Sequence, residues 1–425
     1  MNVMIRYLIL LLALLAPRLA FAAPNPTTPY GDFMRDRKGF SWRQLSRGQG
    51  ITQLEVTSQT WKDSTWTHRI VIYQPETLQY PDAAAMFLTT ERLPFDDETG
   101  RMAAEAIGAP FVIVYEVPNQ PLWNRSENDL FGYTIGKSIA TGDADWSLAF
   151  PMAKTAVRAM DAVDVYNATS HYPEARPITR WLQIGLSKRG LAAWLAATDK
   201  RVKGLVCIAY NDLNTVAQSQ AQLDDWGEVS PRLNADFKDG VKEAMETPRG
   251  KELIKTWDPY EFRAQLNKPK LVIDATGGDD WSLRAFDQYA AEMPGTTNLL
   301  MVTGTDHTMV DALPQIINAS AAWCHWMLGK EPLPQPQLTR EGNSWSFQAP
   351  GAQEALLNWA WSKNNDFRNA EWEKMPMRKT SSGTFEAAMP DAPAGQGNIA
   401  VFALGNWVDG KTALPLGSRV IIDKK

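Results

Sequence analysis

The stretch from residue 179 to residue 198 constrains the fold more than any other part of this 425-residue chain. Residues 179–184 (TRWLQI) are typical of a buried strand, and residues 191–198 (LAAWLAAT) have the composition of a helix. Between them lies the turn Gly185-Leu186-Ser187-Lys188-Arg189-Gly190. A buried strand, a sharp turn with a central serine and a helix together predict a nucleophile elbow. The alternative is that Ser187 only caps the helix that follows it.

Other segments predict a sheet around this turn. Apolar runs alternate with helical patterns, and two further runs, 51–58 and 68–74, predict paired strands. This order predicts an α/β fold: a mostly parallel sheet of the α/β-hydrolase type, with helices on both faces. Residues 211–268 are polar and mostly helical in pattern, and we expect them to form a cap insertion. The buried runs are residues 84–89, 110–117, 202–210, 270–275 and 298–302, and the helical segments are 97–107, 151–166 and the stretch after His307.

The first 22 residues predict a signal peptide. Arg6 provides the positive charge, residues 7–16 are apolar but too few to span a bilayer, and Ala20-Phe21-Ala22 fits a cleavage site. We therefore expect a periplasmic or secreted protein. No later segment approaches about 18 consecutive apolar residues, so we expect no stable membrane insertion after the signal is removed.

The C-terminal part of the chain has a different pattern. After the α/β-hydrolase-like domain of residues 23–330, a Pro-rich linker covers residues 331–337. Residues 338–425 contain short alternating runs separated by turn residues, which predict a β-sandwich-like domain. We expect its strands to fold separately and to stay apart from the central sheet.

Composition excludes several classes of function. The formal net charge of −5 gives no reason to expect nucleic acid as a partner. The four His are scattered and neither Cys has metal-ligand spacing, so we expect no metal and no cofactor. Export permits a disulfide between Cys207 and Cys324, but their apolar surroundings favour two buried free thiols.

An elbow predicts its partners in the chain order nucleophile, acid, histidine. His307 follows the apolar run 298–302, and the pair Asp279 and Asp280 follows the run 270–275. Functional groups of open α/β sheets gather at the carboxyl ends of the strands. We therefore predict a triad of Ser187, His307 and one of these two aspartates. The backbone N–H of Lys188 is predicted to be one oxyanion donor.

Several further motifs connect the chain to a family. They include Pro118-Asn119-Gln120-Pro121-Leu122, Ser187-Lys188-Arg189-Gly190, Asp212-Leu213-Asn214, Asp258-Pro259-Tyr260 and Thr305-Asp306-His307. With these motifs, roughly residues 30–330 resemble the PhoPQ-activated pathogenicity-related proteins, exported bacterial proteins that have an α/β-hydrolase core and are associated with virulence. The resemblance implies the triad Ser187, Asp279 and His307, with Asp280 as the alternative acid. It implies no substrate.

The chain departs from the family pattern at three places. Residues 89–91 read Thr-Thr-Glu where the family tends to have glycines, yet backbone N–H groups can still donate there, and we predict Thr90 as the second oxyanion donor. Asn128 stands where an acid is expected. The turn after Ala275 has one extra residue, which leaves Asp280 as an alternative to Asp279.

These observations predict an exported serine hydrolase that cleaves an ester or peptide-like acyl bond of a small-molecule or peptide substrate. The alternative is a catalytically silent protein that binds a peptide or glycan in the cell envelope. The 17 Trp residues are either core residues or the lining of a substrate groove. For the groove we predict Trp123 and Trp281 as substrate-binding residues. The sequence leaves open the substrate, the oligomeric state and the role of the C-terminal domain.

Overall fold

The computed structural model describes residues 28–424 with several gaps. The predicted signal peptide, residues 1–22, therefore lies outside the described residues. No helix in the described part of the chain is long and apolar enough to cross a membrane. The gaps are residues 171–175, 233–236, 238–239, 330–331, 381–382, 394, 396 and 410–411.

The centre of the molecule is a mixed sheet. Its strands are β1 (Ser41–Gly48), β2 (Ile51–Trp61), β3 (Ser64–Tyr73), β4 (Ala83–Leu88), β5 (Phe111–Val114), β6 (Arg180–Leu186), β7 (Val202–Ile208), β8 (Lys270–Ala275) and β9 (Thr297–Val302). They lie in the order β1-β2-β3-β5-β4-β6-β7-β8-β9. The pairs from β5 to β9 are parallel, and β1, β2, β3 and β5 pair antiparallel. The predicted mostly parallel α/β-hydrolase-type sheet is confirmed.

Helices cover both faces of this sheet. Alternate residues of β4 belong to two different cores: Ala84 and Met86 pack into one, Ala83 and Ala85 into the other. Burial on both faces explains why the strands read as continuous apolar runs. The helices are α1 (Pro29–Arg35), α2 (Asp96–Ile107), α3 (Glu127–Thr141), α4 (Ala149–Thr169), α5 (Lys188–Ala196), α6 (Thr215–Trp226), α7 (Val241–Glu246), α8 (Pro248–Lys255) and α9 (Leu313–Gly329). Helices α4 and α5 pack on the first core, α2 and α9 on the second.

The predicted cap lies between β7 and β8. It contains α6, α7, α8 and a 3₁₀ helix, Pro259–Gln265. Local sequence sets the start of α8, because the Thr247 hydroxyl accepts the Gly250 N–H at 3.1 Å and Pro248 occupies the first turn. Asp258 caps the 3₁₀ helix in the same way through the Tyr260 N–H. The insertion is helical, as the sequence predicts.

The C-terminal strands are β10 (Gln337–Glu341), β11 (Ser344–Gln348), β12 (Glu354–Ser362), β13 (Trp372–Pro376), β14 (Arg378–Lys379), β15 (Thr384–Ala388), β16 (Asn398–Asp409), β17 (Thr412–Gly417) and β18 (Ile421–Lys424). In the described chain, β10, β11, β15 and β14 form a separate sheet of 4 strands. The other five extend the central sheet, giving 14 strands among the described residues. A two-layered β region is therefore present, as predicted.

The expectation that these strands stay apart from the central sheet is wrong. Strand β17 pairs with β9 at one position, Gly417 opposite Leu299. A side chain at Gly417 would crowd the Leu299 carbonyl at 3.3 Å, so glycine allows the approach. The Pro-rich segment is also attached, because Asn298 Nδ2 donates to the Pro334 carbonyl at 2.7 Å. The contact covers the edge of β9, which would otherwise expose unpaired backbone groups.

The two cysteines are free and buried. Burial raises the pKa of both thiols, and Cys207 Sγ donates to the Tyr210 carbonyl at 3.2 Å. The prediction of two buried free thiols is confirmed.

Candidate active site

The turn between β6 and α5 holds Ser187 in a strained backbone conformation. Its φ of 55° and ψ of −130° lie in a region that non-glycine residues rarely adopt. The elbow packs closely: a Cβ on Gly185 would collide with the Arg189 carbonyl, and one on Gly190 would lie 2.8 Å from Cys207 Sγ. Gly190 therefore has the packing role for which a glycine is needed after the serine. The Arg189 side chain donates from Nε to the Val117 carbonyl at 2.6 Å and from Nη2 to Glu127 Oε1 at 2.7 Å.

His307 lies beside the serine at the carboxyl end of β9. Ser187 Oγ and His307 Nε2 are 3.0 Å apart, within hydrogen-bond distance. The imidazole is 8% exposed and packs against the Trp281 ring, with ring centroids 5.3 Å apart. The structure thus brings together the two residues that chain order selects from the sequence.

The acid next to His307 is Asp280, the alternative, and not Asp279. Asp280 Oδ2 lies 3.0 Å from His307 Nδ1, and the Asp280 side chain is 7% exposed. The two atoms are close but imperfectly aligned for a hydrogen bond, as is common in ligand-free sites that tighten on binding substrate. The Asp279 side chain is 47% exposed and faces Arg232, with Oδ1 3.7 Å from Nη1. The prediction of Asp279 as the acid is corrected.

The physical reason for this choice lies in the cap. Ser230 Oγ donates to the Asp279 carbonyl at 2.6 Å, and Gln222 Nε2 donates to the Asp280 carbonyl at 2.8 Å. From the other side, the Gly277 N–H donates to the Thr305 carbonyl in the loop that carries His307. These three bonds fix the extended turn so that only the Asp280 carboxylate faces the imidazole.

Glu127 was not singled out from the sequence, although it lies at the centre of an ionic network under the elbow. Its carboxylate accepts from Lys188 Nζ at 2.6 Å and from Arg189 Nη2 and Gln120 Nε2 at 2.7 Å each. Burial alone would raise the pKa of Glu127, but the charges of Arg189 and Lys188 outweigh it and lower the pKa to about 2. The Glu127 carboxylate ties the start of α5 to the start of α3. The signal in the sequence was the pair of cations directly after Ser187.

The two predicted oxyanion donors differ in position. Lys188 lines the cavity beside Ser187 and is the first residue of α5, where backbone N–H groups have no partner within the helix. Thr90 is not among the residues that line the cavity. Its hydroxyl donates to Glu127 Oε1 at 3.2 Å and contacts Arg189 Nη2, and its carbonyl accepts the Glu116 N–H. The donor role of Thr90 stays a prediction.

A cavity of about 110 Å³ opens next to the Ser187 hydroxyl, between the sheet edge and the cap. Trp281 lies in its wall, where we predict a substrate-binding residue. Trp123 does not line it: this side chain is 41% exposed and packs against Trp61 and Trp146 in an aromatic cluster elsewhere. Trp123 is thus not brought to this cavity, and its substrate-binding role stays a prediction. The aromatic walls of the cavity are Phe131, Tyr210, Phe237, Trp257 and Trp281.

Buried acids lie near the site, and Asp274 is close enough to Asp280 for their charges to interact. Asp274 accepts from Asn211 Nδ2 at 2.9 Å, and burial raises its pKa to about 6. Burial also raises the pKa of Asp258 to about 6, although three backbone N–H groups oppose the shift. The described residues contain no group of three or more His, Cys, Asp or Glu side chains placed to hold a metal ion.

A sequence profile for the PhoPQ-activated pathogenicity-related proteins matches residues 40–368. The chain belongs to this family. The match starts at the edge of β1 and continues past the predicted linker, through β12. The matched region therefore includes strands β10, β11 and β12. The central sheet likewise continues past the predicted linker at residues 331–337.

Relatives with known names are more distant. Autocrine proliferation repressor protein A of Dictyostelium discoideum is 27% identical over 304 residues, which cover 66% of this chain and 60% of that protein. The chain thus matches less than two thirds of that relative. Among solved structures, acetyl xylan esterase 1 from a Thermoanaerobacterium species is 13% identical with a TM-score of 0.48, covering 73% of this chain and 96% of that one. An acetyl xylan esterase from a Paenibacillus species is 11% identical with a TM-score of 0.45, covering 68% and 92%. These similarities leave the substrate open.

Proposed function

We propose that the protein is an exported serine hydrolase that cleaves an ester or peptide-like acyl bond. Ser187 is the nucleophile, His307 the general base and then acid, and Asp280 the residue that orients His307. One observation carries the proposal: Ser187 Oγ on the strained elbow lies 3.0 Å from His307 Nε2, with Asp280 on the other side of the ring.

The reaction follows from this order of groups. As Ser187 Oγ bonds to the acyl carbon, its proton passes to His307 Nε2, and the charge that develops on the carbonyl oxygen faces the Lys188 N–H. His307 then gives its proton to the leaving group as the acyl bond breaks. A water molecule, deprotonated by His307, then attacks the acyl-enzyme, and the carboxylic acid is released as Ser187 regains its proton. The imidazolium formed in each step is stabilised by the Asp280 carboxylate.

The substrate is proposed to be a small molecule or a peptide. The cavity, at about 110 Å³, is smaller than the roughly 150 Å³ that holds a benzene molecule in an engineered protein cavity. One small acyl group or side chain fits beside Ser187, and the remainder of a larger substrate must lie outside. The side chains of Lys188 and Arg189 are held by Glu127 and support the elbow.

Export is proposed from the signal peptide, with the protein in the periplasm or outside the cell. Intact-mass analysis of protein from its native host should show a mature chain that begins at Ala23 or Pro24. A chain that retains Met1 would contradict export.

Labelling with a fluorophosphonate probe tests the function. Wild-type protein should carry the label on Ser187, and Ser187→Ala and His307→Ala should abolish it. Ser58→Ala, which removes a buried hydroxyl also next to a histidine, is the matched control and should label like wild type. If folded wild-type protein stays unlabelled and hydrolyses no ester, the hydrolase proposal is wrong and the silent binding protein becomes the better account.

A further inference from the structure

Asp212 lines the same cavity as Ser187 and His307. Its side chain is half-buried, and no hydrogen-bond donor or cation among the described residues pairs with its carboxyl group. Partial loss of hydration without a partner is unfavourable for a carboxylate. The triad does not use this group, which leaves Asp212 available to a ligand.

The electrostatic surroundings of Asp212 are negative. Burial, followed by the charges of Asp258 and Asp280, raises the pKa of Asp212 to about 8. Another anion in the cavity would be repelled by the same charges. A cation would instead favour the ionised form of Asp212, lower its pKa and be attracted to it. The negative charges around Asp212 thus favour cationic over anionic ligand groups.

A second side chain also lacks a donor. Gln218 is 1% exposed and lines the cavity. Its Nε2 donates to three backbone carbonyls at 3.0 Å each, which fixes the orientation of the amide. Its Oε1 is buried and has no donor among the described residues. The cavity therefore offers two acceptors, Asp212 and Gln218, and a ligand that supplies N–H donors would satisfy both.

The cavity walls also suit a cation. Phe131 and Trp257 meet edge to face with centroids 6.2 Å apart, and Phe237 lies 6.5 Å from Phe131. Aromatic faces attract ammonium groups, most strongly where water is excluded. Of the lysines in the lining, Lys188 is paired with Glu127. Lys242 also lines the cavity, and the acid one helical turn away, Glu246, pairs with Lys251.

We propose that this cavity binds a primary ammonium group of the substrate beside Asp212 and Gln218. The substrate class is then an aminoacyl ester or amide with a free amino group close to the acyl bond that is cleaved. The inference rests on the proposed hydrolase function and adds the substrate class to it.

Matched 4-nitrophenyl esters test the inference. The alanyl ester carries the ammonium group, the 2-methylpropanoyl ester replaces it by an isosteric methyl group, and the 2-hydroxypropanoyl ester offers a neutral donor. Wild-type kcat/KM should be at least tenfold higher for the alanyl ester than for either neutral ester, after division by the uncatalysed hydrolysis rates. Equal values, or a preference for the hydroxy ester, would contradict ammonium binding.

Two variants test whether Asp212 recognises the ammonium group, independently of the reactivity of the esters. Asp212→Asn should lower the ratio of alanyl to 2-methylpropanoyl kcat/KM about ten- to a hundredfold, the usual effect of one hydrogen bond to a charged group. Asp224→Asn removes an equal charge from an exposed position on α6 and should leave the ratio as in wild type. An unchanged ratio in a folded Asp212→Asn protein overturns the inference.

A binding experiment on the wild type covers the case in which Asp212→Asn does not fold. Isopropylammonium should slow fluorophosphonate labelling of Ser187 at concentrations where 2-propanol does not, and equal effects of the two compounds would refute the cation site. Labelling without any preference for ammonium means that the inference is wrong while the hydrolase function stands. Absence of both labelling and ester hydrolysis means that the hydrolase function itself is wrong.

Discussion

Two serine–histidine pairs with the same spacing lie in the part of the chain that the structure describes. Ser187 Oγ lies 3.0 Å from His307 Nε2 at the sheet edge, and Ser58 Oγ lies 3.0 Å from His68 Nε2 inside the core. The second pair is 0% and 1% exposed. Its imidazole Nδ1 lies 3.1 Å from the carbonyl of Tyr115, whereas that of His307 faces a carboxylate.

A short Oγ–Nε2 distance thus occurs in two settings, and the proposed nucleophile differs from Ser58 in the rest of its surroundings. Ser58 is the extra residue of a β-bulge, where the pairing of β2 with β3 shifts between Thr57 and Gln59, and the bulge directs it into the core. Ser187 stands on a positive-φ turn next to a cavity and a helix start. Access to a cavity and a carboxylate beside the imidazole distinguish the two pairs, as does the predicted oxyanion donor at Lys188, and each can be tested.

The largest expected effect is the loss of the Ser187 hydroxyl. Ser187→Ala should lower ester turnover by about 10⁶-fold, as in the best-studied comparable enzyme. Ser58→Ala should change turnover less than about threefold and instead lower the free energy of unfolding by roughly 1–3 kcal/mol, because buried His68 loses a hydrogen bond. Steady-state kinetics and urea unfolding of both variants measure this contrast. Similar turnover losses in the two variants would remove the distinction.

The next largest difference in kcat is expected between variants of the two neighbouring aspartates, Asp280 and Asp279. Asp280→Asn should lower kcat by about 10⁴-fold, because an amide favours the wrong tautomer of the imidazole. Asp279→Asn, with its exposed side chain, should lower kcat only a few-fold. A larger loss for Asp279→Asn would show that the turn rearranges when substrate binds.

The buried pair of Ser58 and His68 should contribute to the pH dependence of the free energy of unfolding. Burial lowers the pKa of His68 to about 4, below the value of about 6.5 expected in the unfolded chain. The unfolded state therefore binds this proton first as the pH falls, and His68 contributes a loss of roughly 3 kcal/mol of stability between about pH 6.5 and pH 4. The raised pKa values of Asp258 and Asp274 act in the opposite direction over the same range. His68→Gln should flatten this part of the curve of unfolding free energy against pH. An unaltered slope would mean that other buried groups cause it.

The smallest effect is expected for the network under the elbow. Glu127→Gln keeps the shape of the side chain but removes the charge that holds Lys188 and Arg189, and kcat/KM should fall about ten- to a hundredfold as the N–H of Lys188 loses its position. Asp129 lies on the same helix as Glu127. Asp129→Asn breaks only the exposed pair with Arg125, which precedes the helix, and should have little effect. Equal effects of the two variants would show that the elbow does not depend on Glu127.

The sequence predicts those parts of the site that depend on local pattern and chain order. Ser187 belongs to a recognisable strand–turn–helix, and His307 follows a buried strand, so both could be found. The choice between Asp279 and Asp280 depends on bonds from Ser230 and Gln222, about 50 residues away in the chain. No periodicity reports such a contact.

The wrong expectations have the same physical origin. The aromatic side chain of Trp123 does not indicate which other tryptophans it will meet in space. The pairing of Gly417 with Leu299 joins segments more than 100 residues apart, and short alternating runs look the same whether they form their own sheet or extend another. Local pattern identifies the strands, and tertiary contacts determine which strands they pair with.

The bonds from the cap to the acid turn have a consequence for the timing of catalysis. Ser230 and Gln222 hold the carbonyls of the two aspartates, so any displacement that swings the cap outward pulls on the turn that orients His307. A bulky substrate that displaces the cap would therefore also disturb the orientation of His307. We therefore expect the proposed hydrolase to turn over esters of small acyl groups and to act poorly on bulky ones.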